Sequence, residues 1–205
     1  MPSRIYPSGT VRALLETEFV TPLTREVLRS RLAPPDAADA PPRFFDAETF
    51  ATLRAACARL IPQPERAHSV DLAGSIDARL AGNMSDGWRY NTMPPDRESY
   101  RLGIRGLDES AQAMFGHSFQ ELDAPSQERL LLAVQRGEVM GESWQRVSAQ
   151  RFFEELLAEV TECYYSDPLA QEEIGYVGTA DAAGWHKIGL DVLEEREPRS
   201  LEEIK

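Results

Sequence analysis

The sequence predicts an all-α fold, a compact helical bundle with an extended N-terminal arm and an irregular C-terminal tail. Three observations carry that prediction. Apolar residues recur at spacings of three and four, no sustained apolar/polar alternation is bounded by tight-turn dipeptides, and capping and stop residues stand at the ends of the periodic runs. With 205 residues and 42 % hydrophobic content, the chain suffices for one domain with a real core, or one domain plus appendages.

Short helical patterns occur near 11–18 and 23–32. In "DAETFATLRAACARLIP", Asp46 caps the start, Phe50, Leu53, Cys57, Leu60 and Ile61 form one apolar stripe, and Pro62 ends the run. Cys57 therefore points at the core. "SVDLAGSIDARLAGN" sets Leu72, Ile76 and Leu80 four apart, with Gly82 and Asn83 as a stop. A loop around Trp88 follows, closed by Pro94 and Pro95, which prevent helix continuation. From Asp96 onward Tyr100, Ile104, Leu107, Ala111 and Met114 recur at helical spacing. Gly103 and Gly106 each cost that helix about 1 kcal/mol of propensity, yet small residues permit close packing. "DAPSQERLLLAVQRG" has Asp123 as cap, Pro125 in the first turn and Gly137 as stop. The strongest helix is "SAQRFFEELLAEVTECYY". Phe152, Phe153, Leu156, Leu157, Val160, Cys163 and Tyr164 make a wide apolar face opposite Glu154, Glu155, Glu159 and Glu162.

These runs divide the chain into an N-terminal arm with a Pro/Ala-rich linker (1–43), a helical body (44–166) and an irregular partner-binding tail (167–205). The linker "APPDAADAPPR" has flexible or polyproline composition. In the tail the periodicity stops and glycines become frequent. The balance of 22 basic against 34 acidic residues, a net charge of −12, argues against nucleic acid and anionic membranes as partners. No run approaches the ~20 apolar residues that span a bilayer. The first twenty residues lack the continuous apolar stretch of a secretory signal, so the expected location is cytoplasmic, or periplasmic with an exported partner.

No catalytic, cofactor-binding or metal-binding constellation stands out in the sequence. "GNMSDG" around Ser85 has the wrong spacing for a nucleophile elbow, and neither a phosphate-binding GxxxxGK[ST] loop nor GxGxxG is present. His68, His117 and His186 lie in three separate segments without metal-ligand spacing. Adjacent Glu154 and Glu155 point about 100° apart on a helix, which favours a solvated face over paired acid/base carboxylates. Cys57 and Cys163, 106 positions apart, form no CxxC motif and read as buried thiols, Cys163 alternatively as an interchain one.

Aromatic residues remain. Tyr164, Tyr165, Tyr176 and Trp185 lie in or beside the tail, and Trp88 in its loop. Tyr and Trp supply large contact area with a polar handle at small entropy cost. Either they fold back to cap their own bundle, or they anchor a partner; a coil this rich in glycine is commonly ordered only against something.

Over 44–190 the chain resembles the small subunit, subunit 3 or gamma, of flavin-dependent gluconate, glucose and fructose dehydrogenases. The landmarks are "FDAETFATLRAACARLIP", "DLAGSIDARL", "YRLGIRGLDESAQAMFGHSFQEL", "SQERLLLAVQRG", "RFFEELLAEVTECYYSDP" and "GWHKIGL". The order FF, YYSDP, GWxxIG is the most specific part. The resemblance implies an all-α subunit that does no chemistry and holds no cofactor. FAD is expected in a separate large subunit of the glucose-methanol-choline oxidoreductase type, in a heterodimer or larger complex. The small subunit would support that partner's folding, stability and, in exported members, transport. Two departures stand out. The twin-arginine signal of many relatives is missing, and "LAQEEIGYVGTADAAGW" replaces their Tyr-Gly-Gly-Asn-like turn, leaving the partner's substrate open among sugars, polyols and glucosides. Two other readings compete: an independent metal- or thiol-dependent enzyme using His186, Asp167 and Cys163, and a transient maturation chaperone for the flavoprotein.

Overall fold

A computed structural model describes residues 10–32, 41–64, 69–85, 87, 89–176, 178, 187, 189–190, 192–194 and 196–197. Among these the regular structure is entirely helical: α1 (Val11–Leu14), α2 (Pro22–Leu32), α3 (Ala47–Leu60), α4 (Leu72–Ala81), α5 (Asp96–Phe115), α6 (Ala124–Arg136), α7 (Ala149–Tyr165) and α8 (Pro168–Glu173), with 3-10 turns at Phe119–Glu121 and Ser143–Gln145. Two compact units share the chain, one of 37–163 and one that gathers 1–36 with 164–205.

In the 37–163 unit, local chemistry fixes the helix ends. Asp46 accepts a hydrogen bond from Thr49 N–H at 2.8 Å, Asp71 from Gly74 N–H at 2.9 Å and Asp123 from Ser126 N–H at 3.0 Å, so each satisfies a donor left over by the first turn. Gly116 and Gly137 end α5 and α6 in the left-handed region, at φ of 76° and 71°. Helix α3 packs against α4, α5 and α6, and its Thr52, Leu53 and Ala56 are fully buried.

The α5 glycines are packing residues. A Cβ at Gly103 would stand 2.2 Å from the Phe152 ring, and one at Gly106 would stand 2.5 Å from the Trp144 indole. Phe152 also meets Tyr100 edge-on at 5.8 Å between centroids, and the Trp144 indole N–H donates to Ser110 Oγ at 2.9 Å. Two residues assigned to apolar stripes by spacing end up half in water: Met114, in the last turn of α5, is 44 % exposed and Leu157 on α7 is 37 % exposed.

Carboxylates hold the connections. Asp77 of α4, nearly inaccessible, accepts from the backbone N–H groups of Arg43, Phe44 and Phe45 at 2.6, 3.0 and 3.0 Å, which fixes the chain leading into α3. Asp108 accepts from Thr52 Oγ1 at 3.0 Å and from Phe119 N–H at 2.9 Å. Burial pushes its pKa up, against the downward pull of those two bonds.

In the second unit, Val11, Leu14, Leu15, Val20 and Leu28 form a small apolar core, with Phe19 and Leu32 packed on it. The tail is expected from sequence to be irregular from 167, but 168–173 form a helix, α8, packed against α1 and α2. Asp167 caps it, accepting from Leu169 N–H at 2.8 Å, and Pro168 opens its first turn. A six-residue helix is shorter than the window in which periodicity can be read, which is why spacing missed it. Glu172 of α8 is buried against Arg12 of α1. It accepts from the Arg12 backbone N–H and from Nε, each at 2.9 Å, and the Arg12 Nη2 group closes the pair.

Candidate functional site

The most elaborate polar arrangement of the 37–163 unit joins α4, α5 and α7. Arg79 of α4 donates to both oxygens of Glu159 on α7, at 2.5 Å from Nε and 2.8 Å from Nη2. Its remaining nitrogen reaches Asp96 Oδ2 and the Met84 carbonyl, each at 2.9 Å. Tyr100 of α5 donates its hydroxyl to Glu159 as well, and Arg79 lies 5.6 Å from the centre of the tyrosine ring. A planar guanidinium suits this task because its fork matches a carboxylate and still has a donor to spare.

The electrostatics follow from burial. Desolvation, and then the Glu159 carboxylate, raises the pKa of Tyr100, so the hydroxyl stays protonated and donating. Burial works against the charge on Arg79, but the bonds to Glu159 outweigh it and hold the guanidinium ionised. Removing Arg79 would leave the Glu159 carboxylate desolvated with only the Tyr100 hydroxyl as partner, and breaking such a pair costs roughly 3–5 kcal/mol.

Spacing alone places Glu159 on the solvated acidic face of α7, but in the fold its side chain turns to Arg79 and is only 14 % exposed. The neighbouring Glu154 does face solvent, where Arg151 pairs with it at 2.6 Å. Sequence could not separate the two glutamates, because Arg79 is 80 positions from Glu159. Beside this hub lies a cavity of about 320 Å³, whose wall includes Arg79, Arg89, Tyr90, Tyr100, Glu155 and Glu162.

Both cysteines are thiols rather than disulfide partners of one another. Cys57 is buried in α3, as its place in the stripe predicts. Burial raises its pKa, with Cys163 and Glu159 adding to the effect. Cys163 is half-buried, and burial, then the charges of Glu159 and Glu162, push its pKa up to about 11. A nucleophilic or metal-binding thiol needs the opposite shift.

Of the aromatic candidates, all but Trp88 belong to the unit of 1–36 and 164–205. Tyr164 is half-buried, donates its hydroxyl to Glu173 at 2.7 Å and meets Tyr165 edge-on at 5.1 Å. Tyr165 and Tyr176 are 40 % and 49 % exposed. Trp88, Trp185 and His186 lie outside the described residues. Asp167, assigned to catalysis in the competing enzyme reading, has its carboxylate engaged as the α8 cap. Among the described residues no group of three His, Cys, Asp or Glu side chains could hold a metal ion, and no helix is long and apolar enough to cross a membrane.

The charged groups of the hub pair with one another, and burial holds both thiols protonated. Comparison with known proteins bears on what such a helical scaffold serves. No curated protein and no solved structure matches the chain. The model of one protein family, gluconate 2-dehydrogenase subunit 3, does match, over residues 47–189. That span runs from the first residue of α3 past the end of α8, and so covers the helices that build the Arg79–Glu159–Tyr100 hub. The chain belongs to the gluconate 2-dehydrogenase subunit 3 family.

Proposed function

We propose that this chain is the non-catalytic small subunit of a flavin-dependent sugar, polyol or glucoside dehydrogenase, and that it supports the folding and stability of a large catalytic subunit. The observation that carries this is the family match over 47–189, since a subunit 3 of a dehydrogenase implies a catalytic partner. The partner is taken to be of the glucose-methanol-choline type, with FAD bound in it rather than in this chain. The exposed Tyr165 and Tyr176 suit partner contact, because a tyrosine brings apolar area and a hydroxyl together. The proposed location is the cytoplasm, and the alternative is the periplasm, reached together with an exported partner.

Co-expression tests the reading. The large flavoprotein subunit produced with this chain is expected to give a stoichiometric complex, a several-fold higher soluble yield and a higher melting temperature than the large subunit alone, by mass action on the folded state. Substitution of Cys163 and Asp167 is expected to leave turnover per assembled complex intact. A partner whose yield, melting temperature and elution volume are the same with and without this chain sinks the proposal. Elution of a flavin-loaded partner free of this chain would identify a transient chaperone instead of a permanent subunit.

A further inference from the structure

We propose that Arg97 and Arg101, stacked on Phe44, form a docking surface for a carboxylate-bearing segment of the partner subunit. The inference rests on the reading of this chain as a subunit and names one surface through which it binds. The two guanidinium carbons lie 4.9 and 4.2 Å from the centre of the same ring, so they are neighbours. Both side chains are exposed, and Arg43, next to the ring in sequence, is exposed too.

The charges around these arginines are spent elsewhere. Helix α5 carries four carboxylates, and each has another partner: Asp96 holds Arg79, Glu98 holds Arg146, Asp108 accepts from Thr52 and Phe119, and Glu109 holds Arg105 and Ser143. Among the described residues Arg97 and Arg101 make no ion pair. In a chain with net charge −12, two adjacent arginines left without a carboxylate are against the electrostatic trend. Arg97 also sits in the first turn of α5, where the helix dipole disfavours cations.

The platform is rigid. Asp77 fixes the backbone of 43–45, and Phe44 meets Phe45 edge-on at 4.7 Å. Stacking on that ring holds the two forks in place before a ligand arrives, which lowers the ordering cost of binding. The cavity beside Arg79 is lined by neither arginine. An open surface with preset guanidinium forks suits the side-chain carboxylates of a protein, and its local sign selects an acidic patch that the rest of this acidic chain would repel.

The test uses the full chain and the purified large subunit, with affinity measured at low and at high salt. Arg97→Glu with Arg101→Glu is expected to weaken binding at least about tenfold at low salt, the gap narrowing as salt screens the contact. Arg97→Lys with Arg101→Lys keeps the charge but loses the fork, and is expected to fall between the two. Arg136→Glu, an exposed site on α6, carries the same change of charge as Arg101→Glu and is expected to leave affinity unchanged. Melting curves of each variant alone check that the fold is intact; if the reversal melts early, the Lys pair and Arg101→Gln take its place. Wild-type affinity in the double reversal overturns the proposal while leaving the subunit reading standing, as does an equal loss in Arg136→Glu. If the wild-type chain fails to bind the large subunit at all, the subunit reading fails and this surface falls with it. Self-association of the chain that the reversal abolishes would assign the surface to a second copy and overturn the proposal too.

Discussion

At Gly103 one hydrogen atom decides how close two helices come. A methyl there would stand 2.2 Å from the Phe152 ring, and Phe152 is itself fully buried between Tyr100 and Trp144, so the ring has nowhere to retreat. Gly103→Ala gains about 1 kcal/mol of helix propensity and incurs an overpacking cost of about 1–3 kcal/mol, to which the lost ring contacts add. The net expectation is destabilisation by about 1–2 kcal/mol, read as a lower urea midpoint at unchanged slope. A midpoint at or above wild type would show that α5 and α7 can part at little cost. Residue-scale packing was only half legible in the sequence. Cys57 falls in the core because three-and-four spacing is set by its own helix. The neighbour of Gly103, and the burial of Glu159, depend on residues dozens of positions away, which no local pattern contains.

At the scale of the element, the signals that work are short-range. Asp46, Asp123, Pro62 and Gly137 mark helix ends because a cap or stop acts within a turn of itself, and the structure puts the boundaries beside them. The turns at Phe119–Glu121 and Ser143–Gln145 and helix α8 were not legible, being too short to show a period. The Asp46 cap gives a pH-dependent prediction. The hydrogen bonds from Thr49 hold its carboxyl below the usual aspartate range. A carboxylate whose folded pKa is depressed adds stability that is full above its unfolded value, about 3.9, and is lost as pH falls through the folded value. Asp46→Ala is therefore expected to cost about 1 kcal/mol at pH 7, with the gap to wild type closing as the solution is acidified past that range. Paired urea titrations at several pH values measure it. A gap that stays constant into acid would mean that the side chain acts by something other than its charged cap.

For the whole molecule, the division into a 37–163 unit and a unit of 1–36 with 164–205 matters most where the second one is small. Its apolar core is a handful of residues, so a single ion pair is a large share of what holds it. Arg12 and Glu172 are 160 positions apart and close the unit by joining α1 to α8, with the Glu172 side chain only 7 % exposed. Arg12→Met leaves a desolvated carboxylate with the Arg12 backbone N–H as its remaining bond to that position, and breaking such a pair costs about 3–5 kcal/mol. Native-state hydrogen exchange reads this locally: amides of α2 and α8 are expected to exchange at least about a hundredfold faster, while those of α3, α5 and α6 keep their protection. Pairing Arg12→Met with Glu172→Met removes both charges and is expected to restore most of the protection, since apolar replacement of a whole buried pair is commonly neutral. Equal acceleration through α3 to α6 would show instead that the chain opens as one cooperative body. A double variant no better than the single one would place the stabilisation in the packing of the Arg12 stem rather than in the charge pair.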